Sequence, residues 1–167
     1  SSNPAVVLID TDNAVVLSDL SIIGGTSNKF PLNIYTSPNV TLNNVSVTNV
    51  FTNGGAMLVN ASSVTVTGNL SVSTAAGSWY GINVDSGVGV ESTDPILTFA
   101  AGSKMTYANT DDGSYNAEGP AAICVDKPTQ YTNAIAGYEE AGLAEPTRNE
   151  KQQDLYYLAQ AADVEVS

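Results

Sequence analysis

Short apolar runs recur in columns when the stretch from Ala14 to Val90 is laid over itself in steps of about 24 residues. Val40-Thr41-Leu42 falls over Val64-Thr65-Val66 and Val88-Gly89-Val90, and Asn44-Val45-Ser46-Val47 falls over Gly68-Asn69-Leu70-Ser71-Val72. One step earlier, Ala14-Val15-Val16-Leu17 and Asp19-Leu20-Ser21-Ile22 fill the same slots with one residue more between steps. A second set of columns holds Leu32-Asn33-Ile34-Tyr35, Ala56-Met57-Leu58-Val59 and Tyr80-Gly81-Ile82-Asn83, with Val7-Leu8-Ile9-Asp10 as its first member. Within a run, Val40, Leu42, Val45 and Val47 alternate with Thr41, Asn43, Ser46 and Thr48. A period of two predicts strands, because successive side chains of a strand point to opposite faces. Turn-forming residues stand at matching places: Gly24-Gly25, Ser37-Pro38-Asn39, Asn53-Gly54-Gly55, Asn60 to Ser63, and Asp85-Ser86-Gly87.

Two all-β architectures give regular strand spacing. An antiparallel sandwich does so without requiring residue types to repeat from one pass to the next. A parallel β-helix requires it, since each coil pairs with the following one along its length. The columns therefore favour an all-β chain folded as a parallel β-helix (solenoid) of about five coils over residues 1–128. Beyond Val90 the pattern loosens, and residues 94–118 read as an irregular insertion containing two strands, Pro95 to Phe99 and Lys104 to Tyr107, and a polar loop. Pro120 to Pro128 resembles the Ile34, Leu58 and Ile82 segments and is assigned to a fifth coil. Residues 129–167 are expected to form an acidic, partly helical C-terminal cap. Asn133 to Ala141 and Glu150 to Ala162 lack β-branched runs, and Leu155, Leu158 and Ala162 fall on one helical face. A stack of coils needs such a cap, because its open end exposes unpaired backbone and apolar interior.

Composition narrows the classes of partner. Seventeen acidic residues against five basic ones give a formal net charge of -12. That surface repels phosphate backbones and anionic headgroups, which argues against nucleic acid and simple membrane-surface binding. No run approaches the roughly 20 apolar residues of a membrane span, so no membrane insertion is expected. Ser1-Ser2-Asn3-Pro4 has no basic or apolar leader region, and the chain reads as a mature or excised piece of a longer parent or assembly. Cys124, the one cysteine, cannot form an internal disulfide and sits among Ala122, Ile123 and Val125 as a small core residue.

The phrases Pro38 to Asn49, Gly54 to Asn60 and Trp79 to Asp85 resemble the pectate-lyase-like, right-handed parallel β-helix segments of large secreted or wall-attached bacterial surface proteins. The resemblance spans roughly residues 5–128. It implies a right-handed coil, an extracellular or cell-surface location, and adhesion or carbohydrate binding as roles; it supplies no active site.

The chemistry of enzymes built on such coils is a test the chain largely fails. Inverting polygalacturonase-like hydrolases need an acid and a carboxylate-activated water held apart. Asn109-Thr110-Asp111-Asp112 is similar to part of their pattern, but the chain has no histidine and no Arg-Ile-Lys. Lyase chemistry needs a base beside an anionic substrate, and Arg148 is the one arginine. Asp111 and Asp112 are the better candidates for a metal, Ca²⁺, with Asp10, Asp12 and Asn13 second; neither set has the spacing of an EF-hand. Trp79, Tyr80 and Tyr35 are candidates for a carbohydrate-stacking surface, set against a role as packing lids. Thr41, Thr48, Thr65 and Thr67 suggest a flat hydroxyl face, interrupted by Val, Ser and Gly. Asn39, Asn44, Asn60 and Asn69 begin glycosylation sequons, which a chain this rich in Asn, Ser and Thr generates by chance.

The expected protein is a noncatalytic, extracellular β-helix module of a bacterial surface protein, adhesive or stalk-like, contacting a glycan or matrix protein. Two alternatives stand beside it. One is a polysaccharide-active enzyme using Asp111, Asp112, Asp85 or Glu118. The other is a subunit of an assembled surface fibre.

Overall fold

The computed structural model describes residues 4–85, 96–109, 121–126, 134–148 and 155–161. Their architecture is all-β and predominantly parallel, built on two sheets that the chain visits in turn. Sheet A takes β1 (Val7–Ile9), β3 (Leu32–Tyr35), β5 (Met57–Asn60), β8 (Tyr80–Asp85) and β11 (Ala121–Asp126) as parallel neighbours. Sheet B takes β2 (Val15–Ile23), β4 (Val40–Asn49), β6 (Val64–Val66) with β7 (Asn69–Thr74), β9 (Leu97–Phe99) with β10 (Lys104–Asn109), and β12 (Ile135–Ala136). Inward residues of both sheets share one core, in which Leu32, Ile34, Leu42, Val47, Met57, Val59, Val66 and Ile82 have no accessible surface.

The column step differs from the one expected. In sheet A, Leu32 pairs with Met57 and Met57 with Ile82, steps of 25 residues. The 24-residue step holds where Val40 meets Val64, and the extra residue between Val66 and Leu70 restores 25 by the time Val45 meets Leu70. Placing Ala56 under Leu32 therefore slips the register by one, which sends every side chain to the opposite face, and placing Tyr80 there slips it by two, which keeps the face but shifts the pairing along the strand. Leu58, placed with Ile34, instead shares the outward column of Asn33 and Asn83.

A second correction concerns the next step. The partner of Val64 is Leu97, not Val88, which lies outside the described residues. The stretch read as an insertion thus supplies β9 and β10, which continue the columns of sheet B, as Met105 under Leu70 shows.

A third correction concerns the C-terminal segment. The described residues of the two stretches expected to be helical include β12 and β14 (Leu155–Leu158), and turns occupy 138–142. β14 runs antiparallel to β11, setting Tyr157 against Cys124 and Tyr156 against Val125, and β13 (Thr147–Arg148) runs antiparallel to β14. The physical reason is the free edge of β11: pairing satisfies its backbone, and the aromatic pair Tyr156-Tyr157 suits a pleated surface better than local helix propensity suggests. Reversing strand direction and finishing on a two-residue, exposed strand blunts that edge. Among the described residues no helix is long and apolar enough to cross a membrane.

Candidate functional site

The outward face of sheet B carries the most regular polar chemistry of the described residues. Alternation puts Ser21, Ser46, Ser71 and Thr106 in one column across β2, β4, β7 and β10, and Thr41, Thr65 and Thr98 in another. Between them β2 and β4 bend, because Asp19 (φ 52°) and Asn44 (φ 53°) adopt the left-handed conformation. Asp and Asn tolerate that region better than other residues with a side chain, which is why the bend recurs at equivalent positions. The bend opens a groove of about 470 Å³ lined by Asp19, Ser21, Asn44, Ser46, Asn69 and Ser71, with Leu20 and Val45 beneath.

Hydrogen bonds order this groove from strand to strand. The Asn44 amide donates to Asp19 Oδ1 at 3.2 Å, the Asn69 backbone N–H donates to Asn44 Oδ1 at 3.1 Å, and the Ser46 hydroxyl donates to Ser21 Oγ at 2.8 Å. Each interaction spans one rung, so the groups repeat at about 4.8 Å. The groove ends on the Asp19 carboxylate on one side, and Lys104 stands in register one rung beyond Asn69 on the other. Hydroxyls and amides both donate and accept, which suits a ligand rich in hydroxyl groups. The alignment of Asp19-Leu20-Ser21 with Asn44-Val45-Ser46 contained this signal, and the break in alternation at Asn43-Asn44 marked the bend, though not that it makes the surface concave.

The three aromatic candidates are not brought together. Tyr80 is buried, its ring edge-on to Trp79 at 6.0 Å between centroids, and it packs in a satellite cluster with Ala121, Cys124, Tyr157, Phe30 and Trp79. Trp79 is half-buried, with the Lys29 ammonium over its ring at 4.1 Å. A stacking sugar would have to displace that cation. Tyr35 is exposed in the column of Asn60 and Asp85, five residues along the sheet from the Tyr80 position, or roughly 16 Å. Tyr80 is therefore a packing residue, while half-buried Trp79 has the Lys29 ammonium over its ring.

Asp111, Asp112 and Glu118 lie outside the described residues. Asp10 accepts a hydrogen bond from the Thr36 hydroxyl at 2.8 Å, and Asn13 turns back onto Thr11. Among the described residues no group of three or more His, Cys, Asp or Glu stands close enough to hold a metal ion. Asp85 is in register with Asp126, side by side on sheet A.

Cys124 is fully buried, and burial pushes its thiol well above the ordinary value near 9. The Asp126 charge raises it further, while a hydrogen bond with Tyr157 works in the opposite direction. The thiolate is the reactive form, so the folded protein should resist maleimide at pH 8 and label only as it unfolds in urea. Because the folded-state value lies above the unfolded one, the stabilisation is fully present below pH 9 and is lost as pH rises beyond it. The slope due to this residue is about 1.4 kcal/mol per pH unit, and it should be absent from Cys124→Ala when urea midpoints are compared between pH 8 and 10.

No family model, characterised protein or solved structure matches this chain.

Proposed function

We propose that the chain is a noncatalytic, right-handed parallel β-helix module of about five coils from an extracellular surface protein, and that it binds an uncharged glycan in the groove of sheet B. The alternation of the chain between two sheets, with each strand stacked on the one about 25 residues before, supports the β-helix reading. Parallel crossovers are right-handed in about 98% of cases, which supports the hand. A stack of this kind is stiff and presents its outer columns in fixed register, as a stalk or adhesive module requires.

The observation that carries the ligand class is the groove itself. Asp19, Ser21, Asn44, Ser46, Asn69 and Ser71 offer carboxylate, hydroxyl and amide groups, and its volume falls within the range of about 300–1,000 Å³ usual for small-ligand sites. The excess of acid over the whole chain disfavours uronates and sulfated sugars. On an array of neutral, sialylated and sulfated glycans, neutral structures should be retained. Asn44→Ala combined with Ser71→Ala should weaken that retention at least tenfold, since each lost hydrogen bond contributes about 1 kcal/mol. Retention unchanged in the double variant, or weakened only by Trp79→Ala, would move the site to the aromatic cluster; no retention at all would remove the glycan reading.

A further inference from the structure

We infer that Asn53-Gly54 is a site of spontaneous covalent modification, where the chain closes a cyclic imide that water opens to aspartate or isoaspartate, and that the carboxylate left there draws Lys29 off the Trp79 ring. The Gly54 backbone nitrogen, its proton lost to solvent base, attacks the side-chain amide carbon of Asn53. The new N–Cγ bond forms, the Cγ–Nδ2 bond breaks, and ammonia leaves with a proton taken from water. Water then adds to one of the two imide carbonyls. Opening at the side-chain carbonyl gives aspartate, and opening at the backbone carbonyl gives isoaspartate, with the chain running through the former side chain. Water is consumed and ammonia released, so the step needs no enzyme, cofactor or oxidant.

Sequence and geometry single out this asparagine. A Cβ on the following residue crowds the attacking nitrogen, and of all the asparagines in the chain Asn53 alone precedes a glycine. It is exposed, in the irregular turn between β4 and β5, where the backbone can rearrange without breaking a ladder. Among the described residues, neither its side chain, its carbonyl nor the Gly54 N–H enters a hydrogen bond. Other asparagine amides are held: Asn28 donates to the Pro4 carbonyl, Asn44 to Asp19, and Asn49 to the Lys29 and Gly55 carbonyls. Because nucleophile and target belong to adjacent residues, an unengaged peptide is enough for attack.

The turn sits between Lys29 and Trp79, one 25-residue step to either side of Gly54. The Gly54 carbonyl accepts the Trp79 N–H at 2.7 Å, and the Gly55 N–H donates to the Lys29 carbonyl at 3.1 Å. Gly54 has φ 84°, and a Cβ on it would run into the Lys29 carbonyl oxygen and Cγ. The Lys29 stem therefore lies directly against this glycine, while its ammonium stands over the Trp79 ring at 4.1 Å. Modification replaces a neutral amide beside that stem with a carboxylate, which competes with the indole face for the ammonium. Isoaspartate also lengthens the backbone of the turn. Trp79 is the one tryptophan, so its emission reports on this contact alone.

The test incubates the full chain at pH 8 and follows two signals, the mass and isoaspartate content of the peptide that contains residue 53 and the emission of Trp79. Exchange of the side-chain amino group for a hydroxyl should be at least tenfold faster at Asn53 than at any other asparagine of the folded chain. Trp79 emission should change with the same time course. Asn53→Gln, at an exposed position that leaves the fold intact by circular dichroism, should gain no mass there and keep its emission. Asn53→Asp should show altered emission from the start. Reaction at Asn53 no faster than at the other asparagines overturns the inference. So does reaction there that leaves the Trp79 emission unchanged, because Lys29 would then have stayed on the ring.

Discussion

Gly137→Ala is expected to destabilise the protein by about 3 kcal/mol or more, against about 1 kcal/mol for Gly102→Ala. Both glycines have positive φ, 73° and 79°, so both substitutions carry the cost of placing an L side chain in the left-handed region. They differ in what surrounds them. A Cβ at Gly102 has nothing within 4 Å, since this residue lies in the open turn between β9 and β10. A Cβ at Gly137 runs into the Phe99 carbonyl oxygen, with the Phe99 Cβ 3.3 Å away. That carbonyl belongs to β9, which is held on both sides by β6 and β12, and the Phe99 side chain is buried. Backbone in such a ladder cannot move aside without breaking its hydrogen bonds. Urea unfolding of the two variants separates the terms: the Gly102 value measures conformational strain, and the difference measures the collision. Equal losses for both would mean that Gly137 has room the geometry does not give it.

The β character and the parallel stacking were legible because each depends on local alternation repeated at a near-constant step. Val40 over Val64 and Val45 over Leu70 are correct pairs that follow from residue types alone. The register of sheet A was not legible to one residue. Ala56, Met57 and Leu58 are all apolar, so a 24-residue and a 25-residue step align them about equally well, and only backbone pairing decides between them. The C-terminal segment misleads for a different reason. Leu155, Leu158 and Ala162 have helical spacing, yet an unpaired edge on β11 rewards a strand there, and tertiary pairing overrides propensity. The groove was half visible: Ser21, Ser46 and Ser71 share a column on the page, but the concavity comes from backbone dihedrals at Asp19 and Asn44. For the aromatic candidates the residue types left a stacking platform and a packing lid both open, since Trp79 and Tyr80 are adjacent in sequence and suit either role. Burial of Tyr80 and the Lys29 ammonium over Trp79 depend on neighbours distant in the chain.

Ile82→Ala should be the most damaging simple truncation in the core, lowering stability by about 3–4 kcal/mol. Ile82 is fully buried and stands in register between Met57 and Ile123, which are also fully buried. In a globular core the neighbours of a truncated side chain relax partly into the space. Here the flanking side chains hang from parallel strands whose spacing is fixed by two ladders, so the cavity stays open and the cost lies towards the upper part of the usual range. Position in the stack adds to this. Stability in a stacked array is carried by interfaces between neighbours, and Ile82 contributes to the contacts of β8 with the strand on each side of it, β5 and β11. A total stability of about 5–15 kcal/mol leaves little margin for such a loss. Leu8→Ala is the matching control, because it removes as large an aliphatic group from a position that is 62% exposed on the end strand of the same sheet. Its cost should stay within about 0.5 kcal/mol. Ile82→Val should fall between them, near 1 kcal/mol, since it deletes one methyl group. Guanidinium unfolding monitored by circular dichroism orders the three. If Leu8→Ala proved as costly as Ile82→Ala, β1 would be packed against something in solution, and stability would not rest on the interior columns as the burial pattern requires.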